Sequence, residues 1–508
     1  NNIKFKNGIE YKEKSIQSIL ENMTLEEKLG QMMLMDFRQW KKHNESGLQD
    51  LEEMNLEVGN IISKYHFGGV ILFSSNLKNT EKSVKLINGI QNLAVNSGNI
   101  PLLISTDQEG GIVTRLGQGT CMPGNMALGA TKNTTHAYET GRIIGEELKA
   151  IGINCNHAPC IDINDNPKNP VIGLRSFGDK ASLVSEMGFH VMQGLHSENV
   201  ISTAKHFPGH GNTSSDSHTG LPSIDKTLSE LYSKELIPFK YLIDNGIDMI
   251  MSAHIQLPKI DSTKCISKKD GKQIYIPATL SHKILTEILR NQMGFDGVII
   301  TDAMDMKAIS DNFGETQAVK MAIKAGADII CMPTCVRSLS DEYKIQNLYS
   351  SIKSAVDSGE IAISQIDTSV LRILKLKQKY GILDKNYNED ISEKIKRALE
   401  TVGSPAHRLI EKNISLDAVT VIKGEKYLPV KMHENQTLLV FIPFNNEKPN
   451  VMHCVKNLIN KTVLPNVKLE VVCYNRNASI NNNYNIFSSF LGNEQKCLLS
   501  ICITYSEL

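Results

Sequence analysis

Val200-Ile201-Ser202-Thr203-Ala204 runs without a break into Lys205-His206-Phe207-Pro208-Gly209-His210-Gly211-Asn212-Thr213-Ser214-Ser215-Asp216-Ser217-His218. A short apolar run followed at once by a polar loop is typical of an α/β barrel, which carries its chemistry on loops at the C-terminal ends of its strands. A polar loop of this length inside a compact domain is usually functional. We therefore predict a buried strand over the apolar residues and a catalytic loop after it.

Asp216 and His218 are the pair of ionisable residues in this loop that best fits proton transfer. Only one residue separates them, so a turning or extended backbone can direct both side chains to the same place. An aspartate beside a histidine orients the imidazole and raises its pKa. His218 is therefore a candidate proton shuttle, and the alternative is a solvated loop in which Asp216 caps a turn.

The loop does not predict a metal site. Pro208, Gly209 and Gly211 disfavour a helix, so we do not expect His206 and His210 to form the pair on one helical face that a zinc protease uses. The ten cysteines of the chain show no paired zinc spacing, and we expect them to be reduced thiols. We expect neither a metal nor an organic cofactor.

Two further strand-like runs end in carboxylates. Val298–Thr301 is followed by Asp302, and Leu102–Thr106 is followed by Asp107-Gln108-Glu109-Gly110-Gly111, whose glycines let the backbone approach a ligand closely. One carboxylate at the end of a strand is often a helix cap. Three polar strand ends in one chain instead predict a shared pocket at the C-terminal face of a barrel.

Eight short apolar runs alternate with helical stretches, and this alternation favours an α/β fold with a (β/α)8 TIM-like barrel. Thr24-Leu25-Glu26-Glu27 is a capping box, which marks the beginning of a helix. An open doubly wound sheet is the alternative, and it would need fewer strands in one domain. The predicted strands are Gln31–Asp36, Gly69–Phe73, Leu102–Asp107, Gly152–His157, Ile201–His206, Asp248–His254, Val298–Asp302 and Asp328–Met332.

Five motifs occur in an order that resembles the β-N-acetylglucosaminidase branch of glycoside hydrolase family 3, over roughly residues 20–425. They are Asp107-Gln108-Glu109-Gly110-Gly111, Arg175-Ser176-Phe177-Gly178, Lys205-His206-Phe207-Pro208-Gly209-His210-Gly211, Asp216-Ser217-His218 and Thr301-Asp302. The resemblance implies a retaining exo-β-N-acetylglucosaminidase with Asp302 as nucleophile and with Asp216 and His218 as the acid/base dyad. It also implies which residues hold the terminal sugar, namely Asp107, Arg175, Lys205 and His206.

Two positions depart from the pattern of the family. This chain has Asn212 where members often carry Asp, and Ile112 where they often carry Arg. Neither change removes a residue that the resemblance assigns to catalysis. The changes affect the charge around the pocket, and with it the preference for groups beyond the terminal sugar.

Three other functions remain open from the sequence. A β-glucosidase of the same broad family takes its acid from a carboxylate in a second domain, and the Asp216–His218 pair argues against it. An N-acetylglucosaminide phosphorylase is the second alternative, because a neutral histidine base repels phosphate less than a carboxylate does. A non-catalytic carbohydrate-binding protein is the third, and it would have lost the nucleophile or the dyad.

We predict three parts of the chain: a catalytic barrel over residues 1–383, a linker over 384–404 and a smaller C-terminal α/β layer domain over 405–508. The last part contains strand-like runs at Thr437–Ile442, Lys468–Cys473 and Cys497–Ile503. Longer family members carry a sandwich domain here, and only about half of its length is present. A truncated chain and a reduced domain are therefore both consistent with the sequence.

Composition excludes several classes of partner. Lys plus Arg equals Asp plus Glu at 55 each, so no net charge draws the chain to nucleic acid or to an anionic membrane. No apolar stretch approaches the roughly 20 residues of a membrane span. The expected partner is an oligosaccharide or muropeptide that contains N-acetylglucosamine, and no oligomeric state is predicted.

The expected location rests on two opposing observations. The first residue is Asn1 rather than Met, and removal of an export signal would explain this. Reduced cysteines instead favour a reducing compartment. On balance a secreted or cell-surface location is slightly favoured over a cytoplasmic one.

Overall fold

Eight parallel strands form the barrel that the sequence predicts. They are β1 (Met33–Asp36), β2 (Gly69–Ile71), β3 (Leu103–Thr106), β4 (Cys155–Asn156), β5 (Ile201–Phe207), β6 (Met249–Ser252), β7 (Val298–Thr301) and β8 (Ile330–Cys331). β8 pairs with β1 through Ile330 and Met33, and a parallel bridge between Ile300 and Ile329 joins β7 to the residue before β8. The barrel prediction is confirmed, and every strand begins inside its predicted run.

The structure is a computed structural model. It describes residues 4–5, 9–10, 16–42, 47–213, 220–384, 387, 389–421, 425–427, 431–442, 445, 448–473 and 497–502. The chain divides into two units, residues 1–419 and 420–508.

Helices fill the connections between the strands of the first unit. The predicted capping box is confirmed, because the Thr24 hydroxyl accepts from the backbone N–H of Glu27 at 3.2 Å and the Glu27 carboxylate accepts from the backbone N–H of Thr24 at 2.8 Å. The α-helices of this unit that the structure describes are Ile16–Glu21, Leu25–Gln31, Leu56–Tyr65, Thr80–Asn96, Asn125–Thr131, Thr134–Ile151, Ala181–Ser197, Leu228–Ser233, Leu236–Asp244, Lys307–Phe313, Glu315–Ala325, Glu342–Asp357, Ile363–Lys379, Ile391–Thr401 and Pro405–Asp417, and Lys283–Gln292 is a π-helix. Short antiparallel pairs of strands join Lys4–Phe5 to Ile9–Glu10, Gln39–Trp40 to Gln49–Asp50, and Lys264–Ile266 to Gln273–Tyr275.

Buried carboxylates at the N-terminal ends of the strands are bound by cations of the fold. Asp248, just before β6, receives Lys379 Nζ at 2.6 Å and His196 Nε2 at 2.7 Å. Asp328, before β8, pairs with Arg290 and Arg372. Carboxylates at this face of a barrel contribute to stability, whereas those at the opposite face are placed for chemistry.

The boundary between the two units lies further along the chain than the sequence indicates. The predicted linker over 384–404 contains the helix Ile391–Thr401, and the helix Pro405–Asp417, predicted to belong to the C-terminal domain, is part of the first unit. His407 explains the position of the second helix, because its Nδ1 lies 2.8 Å from Oε1 of Glu147 on the helix Thr134–Ile151. The same Oε1 also accepts from the backbone N–H of Gly403 at 2.9 Å.

The second unit contains a three-stranded parallel sheet in which Thr437–Ile442 lies between Lys468–Cys473 and Cys497–Cys502. The helix Lys448–Asn460 connects the first two of these strands along the chain. Leu438, Val440, Ile442, Val455 and Val467 form its apolar cluster. Over the residues that the structure describes, these three strands coincide with the predicted runs.

Within the part of the chain that the structure describes, none of the helices combines the length and the apolar character that crossing a bilayer requires.

The ion pair between His407 and Glu147 predicts a pH dependence of stability. The hydrogen bond and the charge of Glu147 raise the pKa of His407 above its usual 6.5. Because the folded-state pKa is raised, the pair stabilises fully below pH 6.5, and its contribution is lost as the pH rises through the folded-state pKa. We expect His407→Gln to lower the free energy of unfolding more at pH 6 than at pH 8.5, measured by urea denaturation. A loss of the same size at both pH values would contradict this role.

Candidate active site

The C-terminal ends of β3, β5 and β7 surround one cavity of about 460 Å³. Asp107 follows β3, Lys205 and His206 belong to β5, and Asp302 follows β7. Arg175, from the connection after β4, completes the wall. The fold therefore gathers around one space all the predicted site residues that lie within the described parts of the chain.

Lys205 connects two carboxylates that the sequence places close together. Its Nζ lies 2.8 Å from Oδ1 of Asp107 and 2.7 Å from Oε1 of Glu109. Arg175 binds the same Glu109 in a bidentate manner, with Nε at 2.9 Å from Oε2 and a terminal nitrogen at 2.8 Å from Oε1. These four side chains form a network that we call the charge cluster: Asp107, Glu109, Arg175 and Lys205.

The charge cluster keeps all its members ionised. Burial alone would raise the pKa of Asp107, but the charge of Lys205 outweighs it and holds this pKa well below the usual range. Burial likewise opposes ionisation of Glu109, and Arg175 and Lys205 together lower its pKa to about 2. The pKa of Lys205 is raised, because the two carboxylates outweigh the effect of burial.

Asp162 positions the loop that begins at β5. Its Oδ2 lies 2.7 Å from Nδ1 of His206, and its Oδ1 accepts from the backbone N–H of His210 at 2.6 Å. Since an ionised carboxylate only accepts, Nδ1 of His206 carries the hydrogen. Its Nε2 then faces Arg175, whose terminal nitrogen lies 3.4 Å away. The loop also packs tightly at Gly211, where a Cβ would lie 1.8 Å from the carbonyl oxygen of Ile163.

Asp302 is an anionic carboxylate held in a fixed orientation. Its Oδ1 accepts from the backbone N–H of Ala303 at 2.7 Å, and its own N–H donates to the carbonyl of Ser252 at the end of β6, at 3.2 Å. Burial would raise its pKa, but the neighbouring His206 and His254 outweigh burial and lower it. A partly buried carboxylate that stays ionised at the floor of a cavity is suited to nucleophilic attack.

Asp216 and His218, the predicted acid/base dyad, lie outside the described residues. The structure describes the loop up to Thr213 and again from Gly220. Thr213 is fixed by Asn169, whose Nδ2 lies 3.2 Å from its hydroxyl. The roles of Asp216 and His218 therefore remain predictions from the sequence.

Several residues that sequence reasoning assigned no role also line the cavity. Arg115 has a terminal nitrogen 4.0 Å from Asp107, and Arg38 lies with its guanidinium carbon 3.7 Å from the centre of the Phe73 ring. Asp305 lies on the turn after Asp302 and faces the same space. Arg115 follows the Gly110-Gly111 pair, so a basic residue after a glycine-rich strand end was the available signal. Arg38 and Asp305 carry no such local signal.

One group of side chains has the donor atoms of a metal site. The ligand atoms of Cys160, Asp162 and His206 all lie within 4.8 Å of one another. Hydrogen bonds explain this proximity, because the Cys160 thiol donates to Oδ2 of Asp162 at 3.3 Å and His206 donates to the same oxygen. Burial also raises the pKa of the Cys160 thiol, which disfavours the thiolate that a metal binds.

A larger cavity of about 630 Å³ lies at the opposite, N-terminal end of the strands. Gly152, Asn199 and Tyr380 are among its lining residues, and none of the predicted site residues is among them. The larger size of this cavity does not identify it as the active site. The described residues that the sequence predicts for catalysis and sugar binding line the smaller cavity at the C-terminal ends of the strands.

Comparison with known proteins identifies the family of the chain. The glycosyl hydrolase family 3 N-terminal domain matches residues 24–376. A β-hexosaminidase A of Pseudoalteromonas piscicida is 36% identical over 420 residues, which cover 80% of this chain and 69% of that protein. A β-hexosaminidase of Mycobacterium tuberculosis is 30% identical over 62% of this chain and 77% of its own length.

A solved structure extends the likeness to both units. The family 3 β-N-acetylglucosaminidase of a Paenibacillus species matches with a TM-score of 0.77 and 31% identity, over 95% of this chain and 85% of that one. The family match covers more than half of the chain and includes the charge cluster and Asp302. The chain therefore belongs to glycoside hydrolase family 3, and it is a glycoside hydrolase of the retaining type.

Proposed function

We propose that this chain is an exo-β-N-acetylglucosaminidase that removes terminal, non-reducing N-acetylglucosamine by a retaining mechanism. Asp302 is the nucleophile, and His218, oriented by Asp216, is the acid and then the base. The observation that carries the proposal is that the ionised Asp302 and the charge cluster line the same cavity. The names of the relatives support the choice of sugar, since they are β-hexosaminidases and a β-N-acetylglucosaminidase.

The first step forms a covalent glycosyl-enzyme. A carboxylate oxygen of Asp302 attacks the anomeric carbon while the bond to the leaving oxygen breaks, and His218 donates its proton to that oxygen. Asp302 is suited to this step because His206 and His254 keep its pKa low. A histidine suits proton donation because its ordinary pKa of about 6.5 already lies near the working pH.

The second step releases the sugar. His218, now neutral, removes a proton from an incoming water, whose oxygen attacks the anomeric carbon and displaces Asp302. Two displacements restore the original configuration at the anomeric carbon. His218 ends the cycle protonated again, so no net proton is taken from the enzyme.

The charge cluster holds the terminal sugar. Lys205 and Arg175 offer charge-assisted donors and Asp107 offers acceptor oxygens to sugar hydroxyls. Because these groups are already fixed by one another, little reorganisation is needed when the sugar binds. Chitin oligosaccharides, muropeptides and glycans can all end in N-acetylglucosamine. Each of them is therefore a candidate substrate.

The nucleophile gives the first test of this function. We expect Asp302→Ala to lower kcat by several orders of magnitude with an unchanged melting temperature, because the covalent intermediate cannot form. A fluorinated N-acetylglucosaminide that accumulates the intermediate should label Asp302, as read by peptide mass spectrometry. A label on any other residue would contradict the assignment.

Sugar specificity gives the second test. We expect aryl N-acetyl-β-glucosaminide to be cleaved about a hundredfold or more faster, in kcat/KM, than the aryl β-glucoside, since a site built for polar contacts loses transition-state binding when they are unmade. Comparable values on both substrates would instead indicate a β-glucosidase.

Assays with and without inorganic phosphate distinguish hydrolysis from phosphorolysis. Hydrolysis releases the free sugar, and phosphorolysis releases the sugar phosphate.

The dyad gives the third test. We expect His218→Ala to lower kcat/KM by about 10²–10⁴-fold for substrates with poor leaving groups, which need protonation. A nitrophenyl leaving group hardly needs a proton, so its kcat/KM should fall far less. Asp216→Ala should show the same trend more mildly. An equal loss across the whole leaving-group series would mean that His218 does not transfer a proton.

A further inference from the structure

Asp305 differs from the other carboxylates that line the catalytic cavity. Asp107 and Glu109 are bound by Lys205, and Asp302 accepts from a backbone N–H. Within the described part of the chain, no hydrogen bond or ion pair reaches the carboxylate of Asp305. Its oxygens are therefore available to a donor that enters the cavity with the substrate.

The position of Asp305 relates it to the reacting carbon. It lies three residues after Asp302 on a turn closed by the backbone hydrogen bond from Met306 to the carbonyl of Ala303, at 3.2 Å. The hydroxyl-binding residues of the charge cluster belong to other segments, after β3 and β4 and on β5. Because Asp305 and Asp302 line the same cavity and are three residues apart, we expect Asp305 to face the substituents beside the anomeric carbon when the terminal sugar binds at Asp302. The acetamide on C2 is such a substituent, and it carries an N–H donor.

The surroundings of Asp305 fit both the methyl group and the N–H of an acetamide. Met306 and Met332 line the same cavity as Asp305 and offer apolar, adaptable contacts to a methyl group. Burial raises the pKa of Asp305, and Arg38 only partly opposes this effect. A partly buried carboxylate without a hydrogen-bond donor is unfavourable, and an amide N–H from the substrate would relieve this.

We propose that Asp305 determines specificity for the C2 acetamide: its carboxylate accepts the amide N–H while the methyl group packs against Met306 and Met332. The inference rests on the proposed function, because it requires the terminal sugar to bind with its anomeric carbon at Asp302. Asp305 thereby adds to the charge cluster, which binds hydroxyls that glucose and N-acetylglucosamine share.

The test compares two nitrophenyl glycosides that differ only at C2, the N-acetyl-β-glucosaminide and the β-glucoside. We expect Asp305→Ala to lower kcat/KM on the first by about ten- to a hundredfold, as for loss of a hydrogen bond to a charged group, and to change the second by less than about threefold. Asp305→Asn keeps an acceptor oxygen, so its kcat/KM on the N-acetyl substrate should lie between those of the wild type and Asp305→Ala. Asp311→Ala is the matched control, because Asp311 pairs with Lys269 at 3.0 Å and does not line the cavity.

Three results would overturn this role. They are an equal loss on both glycosides, no loss on the N-acetyl substrate, or a loss that changes when nitrophenol is replaced by a sugar as leaving group. The ratio of the two kcat/KM values of the wild-type enzyme, for the N-acetyl-β-glucosaminide and the β-glucoside, tests the proposed function separately. A ratio near one would contradict the β-N-acetylglucosaminidase activity itself, whereas a high wild-type ratio that Asp305→Ala leaves unchanged would contradict only the role of Asp305.

Discussion

The buried ammonium group of Lys205 is the constraint on which the site depends. Lys205 is only 2% exposed, and a buried cation is tolerated only when carboxylates surround it closely. Asp107 and Glu109 supply these carboxylates from the segment after β3, and Arg175 neutralises Glu109 from the connection after β4. Closure of the barrel brings the strand ends together, and the charge cluster then fixes the segments that leave them.

This arrangement separates three tasks among different segments. In the proposed function, the charge cluster is fixed before a sugar arrives and offers its remaining donors and acceptors to sugar hydroxyls. Asp302, the proposed nucleophile, directly follows β7, and its low pKa depends on His206 and His254. In the proposed function, proton transfer belongs to the loop after β5, and Asp162 holds the beginning of that loop through His206 and the backbone of His210. Asp162 therefore links sugar binding to the position at which the predicted acid/base loop begins.

The strands, and the places of Asp107 and Asp302 at their C-terminal ends, could be predicted from the sequence because they follow local patterns, whereas the assignment of Arg175 rested on the family resemblance. Buried parallel strands are short apolar runs, and a residue directly after such a run lies at the C-terminal face, as Asp107 and Asp302 do. Long-range partners leave no local pattern. Glu109 and Arg175 are 66 positions apart, and His407 lies 260 positions from Glu147. For this reason the sequence predicted neither the salt bridge to Glu109 nor the contact that places the helix Pro405–Asp417 in the first unit.

The most direct test of this arrangement is a crystal structure of the Asp302→Asn enzyme with an uncleaved N-acetyl-β-glucosaminide. The anomeric carbon should lie within about 3.5 Å of the substituted side chain at position 302, with the sugar hydroxyls on Asp107, Arg175 and Lys205 and with His218 beside the glycosidic oxygen. A sugar bound in this cavity with its anomeric carbon directed away from position 302, or a sugar bound at another site, would contradict it.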